Sequence, residues 1–539
     1  MLLVGVMATF VIKQFSNPKA ITMRHIKFIL AAFLLMAYSG NTQAQFRELG
    51  KAIKKDATKQ IQNRLGGGSS ESQSASTTNQ AQQNTNQTQP NTNTQTASHT
   101  PTSSTSSNAT VASGQVFYVS MTTGSNRNDG LSKDAPFKNL QKALDVAEAG
   151  ATIMVAEGNY YGLLNKGNII LTKPVTIKGG YTTDFSQRDI LKHCTTVQPT
   201  PASNGTASGQ GTIQLKSIVA PNDKVVIDGI IIDRGNSIAY NSRGEGKPEG
   251  VESPMMCPIG TQGNGGENFT EKVNTTETAA IYFEGYQGVV NSVNVEVRNC
   301  AFINCPNFGI LGMIKNGSLT VDNCIFVNVR MAALNVRGAD AKEVIPINFS
   351  NNTVLFIWSR TRDLGDMGYG YRMIPGTTNT VSNNILGCCV FSGLDRTLID
   401  SDKNRQAKRK ESVKNNVFFL NREGDLTLPG GGMMMRISAN DFDDVEDLDV
   451  VAGNKVLNDP APFNGKINKA YLEGFLSMKS TTTMSVDYGS AANQFRSAMG
   501  MNIQGTGKTT ATMFANRYPW KEALQLFGAM SGYGAQMPK

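Results

Sequence analysis

Five copies of one short phrase, Asn-x-x-apolar, divide the second half of the chain into similar intervals. The copies begin at Asn299, Asn323, Asn351, Asn383 and Asn415, and the first two read NCAF and NCIF. The intervals between them are 24, 28, 32 and 32 residues. A sequence period between about 20 and 50 residues is typical of stacked repeat units. The phrase therefore predicts a solenoid in which each copy occupies the same place in successive turns.

The sequence around each copy alternates between apolar and polar residues and is rich in β-branched side chains, as in SVNVEVRNCAFINC and SLTVDNCIFVNV. This is the periodicity of β-strands, and no helical pattern separates the copies. Asp228, in VVIDGIIID, holds the slot of the repeated Asn in an earlier relative of the phrase. Short strands and tight polar turns at this period predict a parallel β-helix, whose coils stack at the strand spacing of about 4.8 Å.

The repeated Asn has a physical reason. A sharp corner between two strands requires a residue that tolerates the left-handed backbone region, which Asn does better than most residues. Stacked Asn side chains can also hydrogen-bond from coil to coil. The residue three positions later is apolar in every copy, so we expect it to point into the core. Cys300 and Cys324 occupy equivalent slots and are expected to stack as buried thiols.

An ordered series of short motifs runs from Phe117 to Gly162: Tyr118-Val119, Asp129-Gly130, Pro136-Phe137, Leu140 to Ala149, and Ile153 to Tyr160. In this order they resemble the initial strand, turn, Pro-Phe pair, capping helix and first coil of secreted parallel β-helix proteins of the pectin-lyase-like superfamily. VTIKGGYTTDFSQRD, from Val175, is similar to a segment of the Bacteroidota members. The resemblance covers about residues 116–460 and implies a right-handed parallel β-helix solenoid with an N-terminal capping helix. It leaves activity open, because the superfamily contains lyases, hydrolases, epimerases and proteins with no known catalysis.

The N-terminal residues 1–44 are predicted to be a signal peptide, with the true start at Met23. Arg24 and Lys27 precede a short apolar run, and Thr42-Gln43-Ala44 is a small-residue cleavage site. The apolar run is shorter than the ~20 residues that span a bilayer. We therefore expect an exported protein that is periplasmic, displayed at the cell surface or secreted.

Three further segments flank the predicted solenoid. Residues 45–65 have an apolar stripe and a basic face, which predicts an amphipathic helix that contacts a membrane surface or a partner, or else a solvated or coiled-coil helix. Residues 66–115 are a low-complexity stretch rich in Ser, Thr, Asn and Gln, and we expect a disordered, flexible stalk. Residues 461–539 lose the repeat and are predicted to flank or cap the solenoid.

Few residues in the sequence are suited to catalysis. Of the three His, His193 alone lies in the folded part, which argues against a Ser-His-Asp triad or a multi-His metal site. Asp441, Asp443 and Asp444 lie in the acidic segment NDFDDVEDLD and are candidate ligands for Ca²⁺, although the segment lacks the Gly of an EF-hand loop and also fits a solvated acidic loop. No catalytic signature is recognisable, so catalytic residues are not assigned.

Basic and aromatic residues gather on the central coils. Arg beside Trp and Tyr suits sugars and their acids, which it holds by stacking and paired hydrogen bonds. The alternative is a basic surface made of turn residues. The candidate ligand-binding residues are Arg330, Arg337, Trp358, Arg360, Arg362, Tyr369, Tyr371 and Arg372.

Three functions fit these features. The first is an exported envelope or surface protein that binds glycan or a partner without catalysis. The alternative is a polysaccharide lyase or hydrolase acting on an acidic, uronate-containing glycan. A third is a scaffold in an envelope assembly that docks through residues 45–65. The expected partner is thus a polysaccharide or an envelope protein and no nucleic acid, and the sequence names neither the glycan nor the oligomeric state.

Overall fold

A computed structural model describes the chain from Gly114 onward, with gaps. All described residues belong to one compact unit, Ser106–Lys539. The predicted signal peptide (1–44), amphipathic helix (45–65) and nearly all of the stalk (66–115) lie outside them. No helix in the described part is long and apolar enough to cross a membrane. The described residues are 114–161, 168–197, 211–234, 240–241, 258–259, 279–286, 288–305, 307–358, 367–430, 433–477, 486–487, 489–503, 508–509 and 518–538.

Most of the described chain forms three long sheets of parallel strands, which we call sheets A, B and C. The chain passes from A to B to C and returns to A one coil further on, so the architecture is the parallel β-helix that the sequence predicts.

Sheet A consists of β1 (Val116–Val119), β2 (Thr152–Ala156), β5 (Thr176–Tyr181), β8 (Val219–Asp228), β13 (Ser292–Arg298), β16 (Leu319–Asp322), β19 (Ile345–Ser350), β22 (Thr377–Ser382), β25 (Glu411–Lys414) and β29 (Val450–Ala452). Sheet B consists of β3 (Gly158–Tyr160), β6 (Thr195–Val197), β9 (Ile230–Asp233), β14 (Ala301–Cys305), β17 (Ile325–Arg330), β20 (Thr353–Trp358), β23 (Ile385–Cys389), β26 (Val417–Phe419) and β30 (Lys455–Val456). Sheet C consists of β4 (Ile169–Leu171), β7 (Gly211–Leu215), β12 (Ala279–Phe283), β15 (Phe308–Ile314), β18 (Ala332–Gly338), β21 (Tyr369–Arg372), β24 (Ser392–Asp395), β27 (Gly424–Gly430) and the antiparallel β28 (Met433–Ile437).

In-register pairing stacks the apolar residue of the repeat from coil to coil. Phe302 lies opposite Phe326, and Phe326 opposite Val354. The row continues through Leu386 to Phe418. All five side chains are fully buried, which confirms that they face the core. The rings of Phe302 and Phe326 are nearly parallel, with their centroids 4.5 Å apart, an offset-stacked contact that adds to the burial of apolar surface.

The five repeated Asn residues lie at the corner between sheets A and B, and all have the predicted left-handed backbone, with φ from 51° to 57°. The side chain of Asn323 donates through Nδ2 to Oδ1 of Asn299 at 2.8 Å. Nδ2 of Asn351 donates instead to Oδ1 of Asp322, also at 2.8 Å. The expected row of Asn side chains thus holds for the first pair and changes partner at the next coil, where a carboxylate is the stronger acceptor.

A buried amide ladder runs one residue later, and the sequence analysis did not identify it. Nδ2 of Asn384 donates to Oδ1 of Asn416 at 2.9 Å and to the carbonyl of Phe349 at 2.8 Å. Its Oδ1 accepts from the backbone N–H of Asn352 at 2.8 Å. Because each buried amide is used as both donor and acceptor, the ladder satisfies backbone groups that the corner leaves unpaired. Its members are Asn352, Asn384, Asn416 and Asn454.

Cys300 and Cys324 fill the same slot on the two preceding coils. Both are buried free thiols, as predicted. Cys324 joins the amide ladder, because its backbone N–H donates to Oδ1 of Asn352 at 2.9 Å. Burial raises the pKa of the Cys324 thiol well above its ordinary value, so the thiol stays protonated inside the core.

Both ends of the solenoid are closed. Helix α1 (Leu140–Val146) begins at Asn139, whose side chain caps it, and covers the first coil with Leu140 and Leu144, as the predicted capping helix should. The last coil is closed by a 3₁₀ helix, Ala439–Asp444, whose Phe442 ring lies 5.3 Å from that of Phe418. The acidic segment therefore contributes apolar side chains to the core and turns its carboxylates outward.

Residues 461–539, predicted to flank or cap the solenoid, pack in their described parts against the outer face of sheet B. Rings from this region meet rings of the sheet: Tyr471 and Phe475 lie 5.0 and 5.5 Å from Phe356. The covering elements are a 3₁₀ turn (Ala461–Phe463), α3 (Lys469–Ser477), α4 (Gly489–Ala498), α5 (Trp520–Ala523) and a second 3₁₀ turn (Leu524–Leu526).

Three smaller elements complete the described chain. Helix α2 (Lys403–Lys408) lies in the connection from sheet C to sheet A and buries none of its residues. Two short pairs stand apart from the large sheets: β10 (Tyr240–Asn241) with β11 (Pro258–Ile259), and β31 (Val486–Asp487) with β32 (Lys508–Thr509).

Candidate functional site

The outer faces of the three sheets differ in what they offer a ligand. Sheet B is covered by the C-terminal residues. On sheet A two carboxylates are paired: Asp228 accepts from Arg188 at 2.7 Å and from Arg298 at 3.0 Å, and Glu296 binds Lys224 at 3.0 Å.

A guanidinium lies beside an aromatic ring on both sheets: Arg188 is 5.9 Å from the centre of the Tyr181 ring on sheet A, and Arg372 is 4.7 Å from that of Tyr369 on sheet C. Sheet C adds to this pair a long apolar and aromatic strip.

An apolar and aromatic cluster lies on the outer side of sheet C, near the start of its strands. The register stacks Phe308 on Ala332 and Ala332 on Tyr369. The cluster therefore runs across several coils as one continuous strip. Its members are Ala279, Tyr282, Phe308, Leu311, Met331, Ala332, Met367, Tyr369 and Phe391.

Arg372 is held beside this strip by two neighbours. Its guanidinium carbon lies 4.7 Å from the centre of the Tyr369 ring, and its Nε donates to Oδ2 of Asp395 at 2.8 Å. Asp395 also accepts from the hydroxyl of Thr427 at 2.8 Å. Arg372 is only 6% exposed. It therefore lies beneath the surface of this face and is held in place by its neighbours.

Four of the predicted ligand-binding residues lie on this side of the solenoid, but Arg330, Tyr369 and Arg372 are buried, with 4%, 3% and 6% exposure, and only Arg337 is partly exposed. Arg330 ends β17 at the corner between sheets B and C, where its Nη2 donates to Oδ1 of Asn307 at 2.5 Å. Arg337 lies on β18 and is partly exposed. The other two belong to β21.

Trp358 and Tyr371 correct the prediction, because both are fully buried and neither can present a ring to a ligand. Trp358 lies under α3, with its ring 5.2 Å from that of Phe475, and its Nε1 donates to Oδ1 of Asn328 at 2.8 Å. Tyr371 faces the solenoid core and its hydroxyl donates to Asn379. Arg360 and Arg362 lie outside the described residues, so their role stays a prediction.

The exposed edge of this face is made of Glu284, Tyr286, Met313 and Arg337, and the sequence analysis had identified only the last. Tyr286 is 49% exposed, whereas Glu284, Met313 and Arg337 are partly exposed. Burial raises the pKa of Tyr286 and the nearby positive charge of Arg337 opposes that rise. No local sequence signal marks the other three, since only the register of the coils brings them to Arg337.

Tyr282, beneath this edge, is poorly suited to proton abstraction. Burial, reinforced by the nearby Tyr286 and Glu284, raises its pKa to about 12. The phenol therefore stays protonated at neutral pH and acts as a hydrogen-bond donor. His193 is likewise engaged, since its Nδ1 lies 3.2 Å from Oε2 of Glu157.

The candidate calcium ligands Asp441, Asp443 and Asp444 are exposed on the 3₁₀ helix that closes the last coil. In the described part of the chain, no group of three or more His, Cys, Asp or Glu side chains lies close enough to hold a metal ion. Two acidic residues further on have structural partners: Asp447 binds Arg396 at 3.2 Å, and Asp449 accepts from the backbone N–H of Glu411 at 2.7 Å. Calcium binding by Asp441, Asp443 and Asp444 therefore stays a prediction.

Fold and face together define a parallel β-helix with a candidate ligand surface on sheet C. No protein-family model and no curated protein matches the sequence. Among solved structures the chain is similar to pectate lyase Pel9A, with 12% identity over 64% of this chain and 76% of that chain and a TM-score of 0.30. It is also similar to the GH136 lacto-N-biosidase from Eubacterium ramulus, with 10% identity over 63% and 67% of the two chains and a TM-score of 0.28. It is similar as well to XylC in complex with xylose, with 11% identity over 64% of this chain and 68% of that chain and a TM-score of 0.27. Similarity at this level carries no argument about activity.

Proposed function

We propose that this protein is an exported β-helix protein that binds an acidic glycan along the outer face of sheet C. The observation that carries the proposal is that the partly exposed Arg337 and the exposed Tyr286 lie close together on that one face, while Arg330 and Arg372 add positive charge from buried positions. Guanidinium groups pair with carboxylates, and aromatic rings stack on the apolar faces of sugars. A glycan chain is long enough to contact several coils at once.

Binding is the favoured function because, among the described residues of this face, only the Glu284 carboxylate is suited to act as a base. Arg372 is already paired with Asp395, and Tyr282 stays protonated at neutral pH. Abstraction of a proton next to a carboxylate requires both a base and a group that neutralises the developing charge. The face supplies the positive charge that such a reaction needs, but no residue is assigned as the base that would abstract the proton.

The test is binding of the purified protein to an array of carboxylated, sulfated and neutral oligosaccharides at two salt concentrations. Acidic ligands should bind, and their affinity should fall with rising salt, because exposed charges are screened over about 8–10 Å at physiological ionic strength. Binding to neutral glycans alone, or to none, would remove the proposal. Appearance of unsaturated uronate during incubation with the best ligand would make the protein a lyase instead.

Export is tested separately. Cleavage after Ala44, as expected from Thr42-Gln43-Ala44, makes Gln45 the first residue of the mature protein. Mass spectrometry of the protein from an envelope or culture fraction reads this terminus directly. An uncleaved N-terminus in that fraction would contradict the signal peptide.

A further inference from the structure

Arg337, on β18, has no carboxylate partner among the described residues. It is partly buried, and its Nε is hidden from solvent without a hydrogen-bond partner in the described chain. By contrast, Arg372 and Arg298 each bind a carboxylate at 2.8 and 3.0 Å. A half-buried guanidinium without a partner loses hydration that nothing replaces, so such a group calls for an explanation.

A second buried polar atom without a partner lies two strands away. Oε2 of Glu284 is hidden from solvent and has no hydrogen-bond partner among the described residues. The register relates the two groups: Phe283 pairs with Gly312, and Met313, the next residue, pairs with Arg337. Glu284, Met313 and Arg337 therefore stand in one row on three neighbouring strands, with the acceptor and the donor about 10 Å apart along the solenoid, or two strand spacings.

The residues between and beside these two charged groups are largely apolar. Met313 lies between the two charged residues and is partly exposed. Tyr286, two residues after Glu284, is 49% exposed, and Arg337 is close enough to influence its pKa. A flexible thioether and an aromatic ring suit the apolar face of a sugar.

We infer that Glu284, Met313, Tyr286 and Arg337 form a subsite for one sugar-acid unit, with its anionic group on Arg337 and a hydroxyl donated to Glu284. The unit lies over Met313, and Tyr286 forms one side. This inference rests on the proposed glycan binding and deepens it, because it assigns acid recognition to the edge of sheet C at β12, β15 and β18. Arg372 and Tyr369, further along the face, then have a structural role and do not bind the anionic group of the sugar.

The two charged residues have separable roles, and the experiment uses this. The probes are an oligogalacturonate and the same oligosaccharide with its carboxylates reduced to alcohols, titrated by calorimetry. The variants are Arg337→Gln and Glu284→Gln, with Arg127→Gln as a control that removes the same charge from an exposed loop near α1.

Arg337→Gln should lower the affinity for the acidic probe by about tenfold or more, which is the effect expected from loss of a charge-assisted hydrogen bond. It should leave the reduced probe unchanged, so that discrimination between the two probes disappears. Glu284→Gln should lower the affinity for both probes by a similar factor, so that the protein still prefers the acidic probe to the reduced one. Arg127→Gln should match the wild type within about twofold, the change expected from loss of a remote screened charge.

Wild-type affinity for the acidic probe in Arg337→Gln would overturn the subsite and leave glycan binding intact. If the wild type binds neither probe, the subsite is tested with sulfate instead, and the proposed glycan binding is wrong only if no acidic glycan of the array binds either. At constant ionic strength, sulfate should then raise the melting temperature of the wild type and of Arg127→Gln but not of Arg337→Gln. An equal rise in all three proteins would overturn the subsite as well.

Discussion

Asn304 and the backbone of Tyr518 hold each other by two hydrogen bonds across a sequence separation of 214 residues. Nδ2 of Asn304 donates to the carbonyl of Tyr518 at 3.0 Å, and the N–H of Tyr518 donates to Oδ1 of Asn304 at 2.8 Å. This reciprocal pair fastens the C-terminal cover to the outer face of sheet B. A side-chain amide is matched there to a peptide group, so both are satisfied in a buried place.

Asn304→Ala should lower the free energy of unfolding by about 1–3 kcal/mol, because it removes both hydrogen bonds to the peptide of Tyr518 and those that link Asn304 to Asp233 and Asn328. Asn304 also has a left-handed backbone, with φ of 57°, which Ala tolerates less well. Asn316→Ala is the matched control, since Asn316 has φ of 48° and is exposed. Chemical denaturation of both variants separates the backbone effect from the loss of hydrogen bonds, and equal losses would show that the hydrogen bonds of Asn304 contribute nothing.

The extreme C-terminus should be released by Gly534→Ala. The N–H groups of Gly534, Ala535 and Gln536 donate to Asn383, Thr353 and Asn323, one coil each, at 2.6, 3.0 and 2.6 Å. A Cβ on Gly534 would meet side-chain atoms of Ile385 and Thr353 at 2.5 Å.

The control for this release is Gly532→Ala. Gly532 has a similar φ, 77° against 67°, but a Cβ there meets nothing within 4 Å. Hydrogen exchange should therefore speed up at residues 534–536 in Gly534→Ala and stay near the wild-type rate in Gly532→Ala. Unchanged exchange in Gly534→Ala would mean that the tail accommodates the methyl group.

Phe326→Ala should cost about 3–5 kcal/mol of unfolding free energy, the usual range for removal of a buried ring. The ring is fully buried and stacked on Phe302. Phe326→Leu keeps most of the volume and should cost less than about 1.5 kcal/mol. Thermal melting compares the two variants. Equal melting temperatures for Phe326→Ala and Phe326→Leu would contradict the placement of residue 326 in the packed core.

Asp228 should make stability depend on pH. Burial acts to raise its pKa, but the hydrogen bond from Asn299 and the charges of Arg188 and Arg298 outweigh burial, and the pKa lies below its ordinary 3.8. A lowered carboxyl pKa stabilises the fold fully above the unfolded value, and this contribution is lost as pH falls through the folded value.

Asp228→Asn should therefore destabilise the protein by about 1–3 kcal/mol at pH 7. The difference from the wild type should stay constant down to about pH 5 and shrink below about pH 4. Asp441→Asn, on the exposed acidic helix, should show a small difference at every pH. Denaturant titrations at pH 7, 5 and 3 check this, and a constant difference for Asp228→Asn would contradict the ion-pair account.

The solenoid itself could be predicted because its signals are local. A residue that tolerates the left-handed region, followed three positions later by an apolar side chain, requires only a few neighbouring residues to be recognised. Asn299 and Asn323 therefore identified the corner, and Phe302 and Phe326 identified the core-facing side. The Asn384 ladder was missed because its amides differ from exposed ones only by burial.

The ligand face depended on contacts that no local pattern contains. Trp358 and Arg337 both looked like surface residues in the sequence, yet the C-terminal region buries the first and leaves the second at an open edge. Glu284 and Arg337 come to stand in one row, with Met313 between them, only through the register of β12, β15 and β18. The sequence alone thus determined the coil, its corners and its core, because period and backbone preference act over a few residues. Only the tertiary structure decided which face is covered and which charges remain unpaired, because those depend on segments that meet across the whole length of the chain.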